Sequence, residues 1–277
     1  MPKEQNITFH AGLPRTASTY LQRNVFPAFK GITYVRKHAF GIHDEIIATA
    51  DKPILLSTEM DLGKGKPNSR GLYTIAEKYP DTRIIIVLRR HDKWIASKYK
   101  YHIRKSGTMD FNSFFNLEPN NGFFRREHLR YREIINTIES LFTPRPLVIF
   151  QEEIKNAPEQ IIGLLASYCD AEVDFSDVKM NKVNYSFSEK QLKLLLKFNR
   201  CFSFDEKKHG RFRKKLRAAM IHTLAFFGQF LPVKGKTDAP IVPPKKLKQI
   251  RDAYADDWKA CLEYASKDRK LYLPVSN

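Results

Sequence analysis

Five short runs of apolar and β-branched residues, at 7–10, 32–35, 54–57, 84–88 and 147–150, alternate along the chain with longer segments of helical spacing. No other feature constrains the fold as strongly. Each run is apolar or β-branched at nearly every position and too short for a buried helix, so it reads as a strand. The intervening segments at 17–26, 92–103, 124–141 and 158–169 carry helical spacing or punctuation. Parallel strands need such crossovers, so the expectation is an α/β chain with a central, mostly parallel sheet. Ligands of these sheets bind beyond the carboxyl ends of the strands. That rule selects 12–20, 57–61 and 89–97.

The remaining third reads as helical, from about residue 185 to 277. Ser188 with Gln191 makes a capping box that opens a helix through Leu192, Leu195, Leu196 and Asn199. An apolar segment at 218–231 and a Pro- and Lys-containing link at 232–244 lead to a last helix near 245–264. With no repeat and no strong boundary, one domain over residues 1–277 is expected.

Charge is the unusual bulk property: 48 Lys and Arg against 30 Asp and Glu give a net of +18. Between residues 179 and 217 the basic excess alone is ten. Such a field concentrates anions, whether a polyanionic substrate, a membrane surface or nucleic acid, although solvated helix faces account for part of it. Nucleic acid ranks last, because no zinc finger, aromatic RNA-binding motif or GXXG loop accompanies the charge. Segment 211–231, basic and then aromatic-rich, fits either a helix lying peripherally on the inner membrane surface or a core helix with a solvated start. Cys169, Cys201 and Cys261 are odd in number and widely spaced, which fits a reducing compartment and packing roles, and excludes a disulfide framework or zinc site. With no secretory signal and no bilayer-length apolar run, a cytoplasmic protein is expected.

The first strand runs into Gly12, Pro14 and a cluster of small hydroxyl residues before the next helix. A strand, a tight turn and a helix N-terminus aim backbone N–H groups at one point, which is an anion site. Gly12 permits the turn, and Thr16, Ser18 and Thr19 add hydroxyl donors. An ordinary capped helix would share part of this pattern. In the Walker A spacing counted from Gly12, the second Gly is Ala17 and the Lys is Ser18. The run at 84–88 ends in Arg89 and Arg90 where a magnesium-binding Asp would stand. The chain is therefore equipped for an anionic nucleotide held by side-chain cations, without metal, and a nucleotide kinase is disfavoured.

The run Leu13-Pro14-Arg15-Thr16-Ala17-Ser18-Thr19-Tyr20-Leu21 resembles the 5'-phosphosulfate loop of sulfotransferases that use 3'-phosphoadenosine 5'-phosphosulfate (PAPS). Arg89 and Ser97, eight apart, resemble that family's 3'-phosphate motif, and 150–169 and 184–199 resemble further family segments. The resemblance is nearest to bacterial carbohydrate sulfotransferases. It implies a P-loop-like three-layer α/β fold and PAPS as donor, with 3',5'-ADP as product and no metal. It also implies sulfuryl transfer to a hydroxyl of an anionic or neutral glycan or a glycolipid. A small alcohol or phenol acceptor, or a polyanion-binding protein without turnover, are the alternatives.

By the same resemblance, Arg15, Thr16, Ala17, Ser18, Thr19 and Tyr20 hold the 5' end of the donor, and Arg89 and Ser97 the 3'-phosphate. Arg15 stands where the family has its catalytic Lys; it keeps the charge, but a guanidinium does not readily yield a proton. Ala17 stands where the family has Gly, a mild change if its backbone angles are helical, since only a positive φ would demand Gly. Glu59, just past the strand at 54–57, is the expected general base. His10 and His38 are the alternatives, His10 reading as a packed strand residue, and capping or pairing with a Lys is the plain reading of Glu59.

Overall fold

In a computed structural model of the chain, the residues described are 6–36, 43–59, 70–179, 187–201 and 239–269, with Ala219 and Thr223 as isolated positions. The expected strands form β1 (Ile7–Gly12), β3 (Thr33–Arg36), β4 (Ile54–Glu59), β5 (Arg83–Leu88) and β6 (Leu147–Phe150). They make one five-stranded sheet in the order β3-β4-β1-β5-β6, parallel at every pairing. Two very short strands, β2 (Phe29–Lys30) and β7 (Glu172–Val173), pair antiparallel as a separate ribbon. At two residues each they carry no apolar run from which sequence could have drawn them.

Every residue of β1 and of β6 is buried, as both faces of a crossover sheet require. On one face Leu55, Ile85, Val87, Leu147 and Ile149 pack with Leu21, Val25 and Phe26 and with Ile161, Ile162 and Leu165 of the helix Pro158–Tyr168. Toward the other, Phe150 meets Trp258 of the helix Ala255–Arg269 at a ring separation of 4.7 Å. Each fully buried aliphatic or aromatic side chain contributes about 1.5–3 kcal/mol, so these two layers fix the sheet that carries the site. The chain thus forms a three-layer α/β fold with a central parallel sheet.

Helices depart from the expected ones where local geometry intervenes. The helix expected at 17–26 is a single α-helical turn (Ser18–Tyr20), a π-helical turn (Leu21–Val25) and a 3-10 turn (Phe26–Ala28). The one expected at 124–141 is a 3-10 turn (Arg126–Leu129) followed by a helix from Tyr131 to Leu141. The last divides at Tyr254 into Pro244–Ala253 and Ala255–Arg269. Ser188 and Gln191 do form the capping box, each main-chain N–H donating to the other's side chain at 2.7 and 3.2 Å. The expected segments at 211–231 and 232–244 lie almost wholly outside the described residues. Cys169 and Cys261 are buried, and burial pushes both thiols up to about 12; Cys201 is exposed, so it is not the packing residue expected.

The chain divides into two compact units. One comprises residues 1–91, 126–183 and 253–277 and contains the sheet; the other comprises 92–125 and 184–252. Within the second, Trp94, Tyr99, Phe111, Phe114 and Phe124 form an aromatic core. There Asn199 donates to the carbonyls of Ile103 and Gly107 at 2.8 and 3.0 Å, ending the helix His91–Arg104.

Candidate functional site: the loop after the first strand

Chain order takes β3 and β4 to one side of β1, then β5 and β6 to the other. Beyond the carboxyl end of β1 lies the crevice where such sheets bind ligands. The loop from Gly12 to Tyr20 occupies that place, and its backbone is unusual. Arg15 has φ 72° and Ala17 has φ 74°, both in the left-handed region. Ala17 is therefore not helical, and the mildness expected of an Ala at that position is corrected. For an L-residue this conformation costs about 1–2 kcal/mol, so the loop holds two strained positions within three residues. Left-handed residues among right-handed ones turn successive N–H groups to one side, a concavity that suits an anion.

Gly12 serves close approach. A Cβ there would lie 2.4 Å from Ser18 Oγ and 2.9 Å from His10 Cε1, and its φ is not positive. The hydroxyls of Thr16 and Ser18 also differ from expectation. Both residues are buried and both donate to the Leu13 carbonyl, at 2.6 and 3.1 Å. In this arrangement they brace the loop from inside. Thr19, Tyr20 and Arg15 are half-buried at the loop surface, and burial raises the Tyr20 hydroxyl above its ordinary pKa.

Arg89 follows β5 directly, and its Nη1 donates to the Arg15 carbonyl at 3.3 Å. The two segments selected from sequence therefore touch within one unit. Ser97 lies on the helix His91–Arg104, in the part that belongs to the second unit. Glu59 is the last residue of β4 and pairs in register with Gly12, so its Cα stands one strand spacing, about 4.8 Å, from the start of the loop. His38 lies outside the described residues.

His10 is fully buried, as expected of a packed strand residue. Its Nδ1 lies 2.8 Å from Ser57 Oγ, directly across from it on β4. Desolvation lowers its pKa to about 3, so the ring is neutral and poorly suited to accept a proton from a substrate. Gln22, on the helical segment after the loop, donates to the same Ser57 Oγ at 3.1 Å, and Tyr34 donates to the Gln22 carbonyl at 3.1 Å. Ser57 opens one of the three stretches selected from sequence, but its bond to His10 was not expected, nor was Tyr34 at the site. Nothing in a single strand's letters says which residue faces it across the sheet.

Among the described residues no group of His, Cys, Asp and Glu could hold a metal ion. No helix among them is long and apolar enough to cross a membrane.

No family model matches the chain, and no curated protein matches it by sequence. Among solved structures, a sulfotransferase from Alicyclobacillus acidocaldarius is similar at a TM-score of 0.49 and 15% identity, with 71% of this chain and 92% of that chain covered. A likeness at that level decides neither activity nor ligand. The functional reading rests on the loop.

Proposed function

We propose that the chain is a sulfotransferase that moves the sulfuryl group of PAPS to a hydroxyl of a glycan or glycolipid. The observation that carries this reading is the strained loop at the carboxyl end of β1, with Arg15 on it and Arg89 bonded to it. A loop of N–H groups with two cations suits a doubly charged 5' group beside a 3'-phosphate. The absence from the sequence of a Walker Lys and of an Asp in place of Arg89 and Arg90 at the end of β5 disfavours magnesium–ATP.

In the reaction, an oxygen–sulfur bond forms from the acceptor hydroxyl while the bond from sulfur to the phosphate oxygen breaks, and 3',5'-ADP departs with the electron pair. Arg15 and the N–H groups of residues 16–19 stabilise the charge that grows on the departing phosphate, while the Tyr20 N–H is held by the Ala17 carbonyl at 2.8 Å. Arg89 holds the 3'-phosphate; Ser97 keeps its part in that role on sequence grounds alone. Glu59, beside Gly12 in register, takes the proton of the acceptor hydroxyl. The net charge of +18 suits an anionic acceptor, and a cytoplasmic or peripheral membrane setting belongs to the same proposal.

One observation favours a second reading. Arg15 replaces the ammonium with a guanidinium that holds its proton, which suits a protein that binds the nucleotide or another polyanion without turnover. Labelled PAPS incubated with glycans and small alcohols, with and without EDTA, separates the two. Transfer that survives EDTA and falls at least about a hundredfold in Glu59→Gln, with 3',5'-ADP binding retained, supports the enzyme. Tight 3',5'-ADP binding without transfer to any acceptor supports the second reading. Retained turnover in Glu59→Gln removes that residue from the mechanism.

A further inference from the structure

His10 ends in a contradiction if it is read only as core. Its ring is fully buried, yet its Nε2 finds no hydrogen-bond partner among the described residues. A buried polar atom left unpaired costs stability, so an apolar side chain would serve the core better at this position. What the imidazole supplies is its other nitrogen. Nδ1 lies 2.8 Å from Ser57 Oγ, and the same oxygen accepts from Gln22 Nε2 at 3.1 Å. His10 stands two residues before the end of β1 at Gly12, and Gln22 follows the loop on its helical segment. Ser57 therefore joins the chain on either side of the loop through side chains alone.

The ring also reaches the loop directly. Its Cε1 and Ser18 Oγ crowd the point where a Gly12 Cβ would stand, at 2.9 and 2.4 Å. The Phe26 ring packs edge-on against the imidazole at 5.1 Å. We propose that His10, Ser57 and Gln22 form a clamp that closes the base of the anion loop, with His10 as the positioning residue that keeps residues 12–20 in their binding shape. A clamp answers a need the loop itself creates. Arg15 and Ala17 lie in a backbone region that L-residues leave unless the surroundings hold them there. The functional importance of the clamp rests on the reading of the loop as a nucleotide site; its mechanical role does not.

Hydrogen exchange resolved by peptide, on the full chain without ligand, tests the mechanical role. In His10→Leu and in Ser57→Ala, amides of residues 12–20 exchange about tenfold faster or more, while the strands β5 and β6 keep their protection. His10→Asn, whose side chain can still meet Ser57, restores the slow exchange. Unchanged exchange in both variants, or loosening spread over the whole sheet with Ser57→Ala silent, overturns the clamp and leaves His10 a packing residue. Calorimetry with 3',5'-ADP then reads the consequence, a loss of about tenfold in affinity in His10→Leu that Asn recovers. If the wild-type chain does not bind 3',5'-ADP, the donor reading fails and the exchange result alone decides the clamp.

Discussion

Ala17 concentrates the tension of the loop in one side chain. Its Cβ is the only part that resists φ 74°, so Ala17→Gly relieves about 1–2 kcal/mol of strain and returns about half of that as lost unfolded-state restriction. The variant should melt at a higher temperature and bind 3',5'-ADP at least as tightly; a lower melting point would show that the packing of the Ala methyl against the core cluster outweighs its strain. His10 gives a second residue-scale prediction, through acid. Its pKa of about 3 in the folded chain lies below the ordinary 6.5, so between those values the unfolded chain takes up a proton that the folded chain refuses. The contribution is complete above pH 6.5 and is lost at about 1.4 kcal/mol per pH unit as the pH falls toward 3. Urea unfolding at several pH values from 7 down to 4 should give a steeper loss for wild type than for His10→Leu. Equal slopes would mean the ring is solvated.

Elements were legible from sequence to the extent that burial wrote itself into composition. Buried parallel strands are continuous apolar runs, so the five strands of the sheet stand within a few residues of their expected bounds. The sign of a φ angle is not written in an Ala, and the register that sets His10 across from Ser57 belongs to two strands at once. For that reason the loop was found from sequence while its strain and its clamp were not. The π-helical turn at Leu21–Val25 was hidden in the same way, since its extra residue leaves the apolar spacing nearly helical. Another element hidden from sequence is the anchor of the helix Ala255–Arg269. Its Asp257 lies 2.9 Å from buried His91 and accepts from the main-chain N–H of Tyr131 and Arg132 at 3.0 and 3.1 Å. The His91 ring stacks between Tyr131 and Tyr254 at 4.2 and 4.6 Å, and although burial pushes the Asp257 carboxyl up, the hydrogen bonds from His91 and the two amides together hold it below its ordinary pKa. Asp257→Ala leaves two amides and an imidazole unpaired, so it should destabilise the chain by about 2–4 kcal/mol in urea unfolding; a change under about 0.5 kcal/mol would mean that water replaces the carboxylate.

At the scale of the whole chain, a net charge of +18 and the proposed anion loop make one demand of any ligand, that it bring negative charge to the carboxyl end of β1. Charge alone would accept many anions. Under the proposed function, Arg15 and Arg89, whose guanidinium donates to the Arg15 carbonyl, supply the selectivity, because together they ask for two anionic groups on one nucleotide, at its 5' and 3' positions. Calorimetric titration of the chain with 3',5'-ADP, 5'-AMP and magnesium–ATP at one salt concentration measures that selectivity directly. The expected result is binding of 3',5'-ADP at least about tenfold tighter than 5'-AMP, lost in Arg89→Ala, with no gain from magnesium. Binding of magnesium–ATP in preference to 3',5'-ADP would contradict the account.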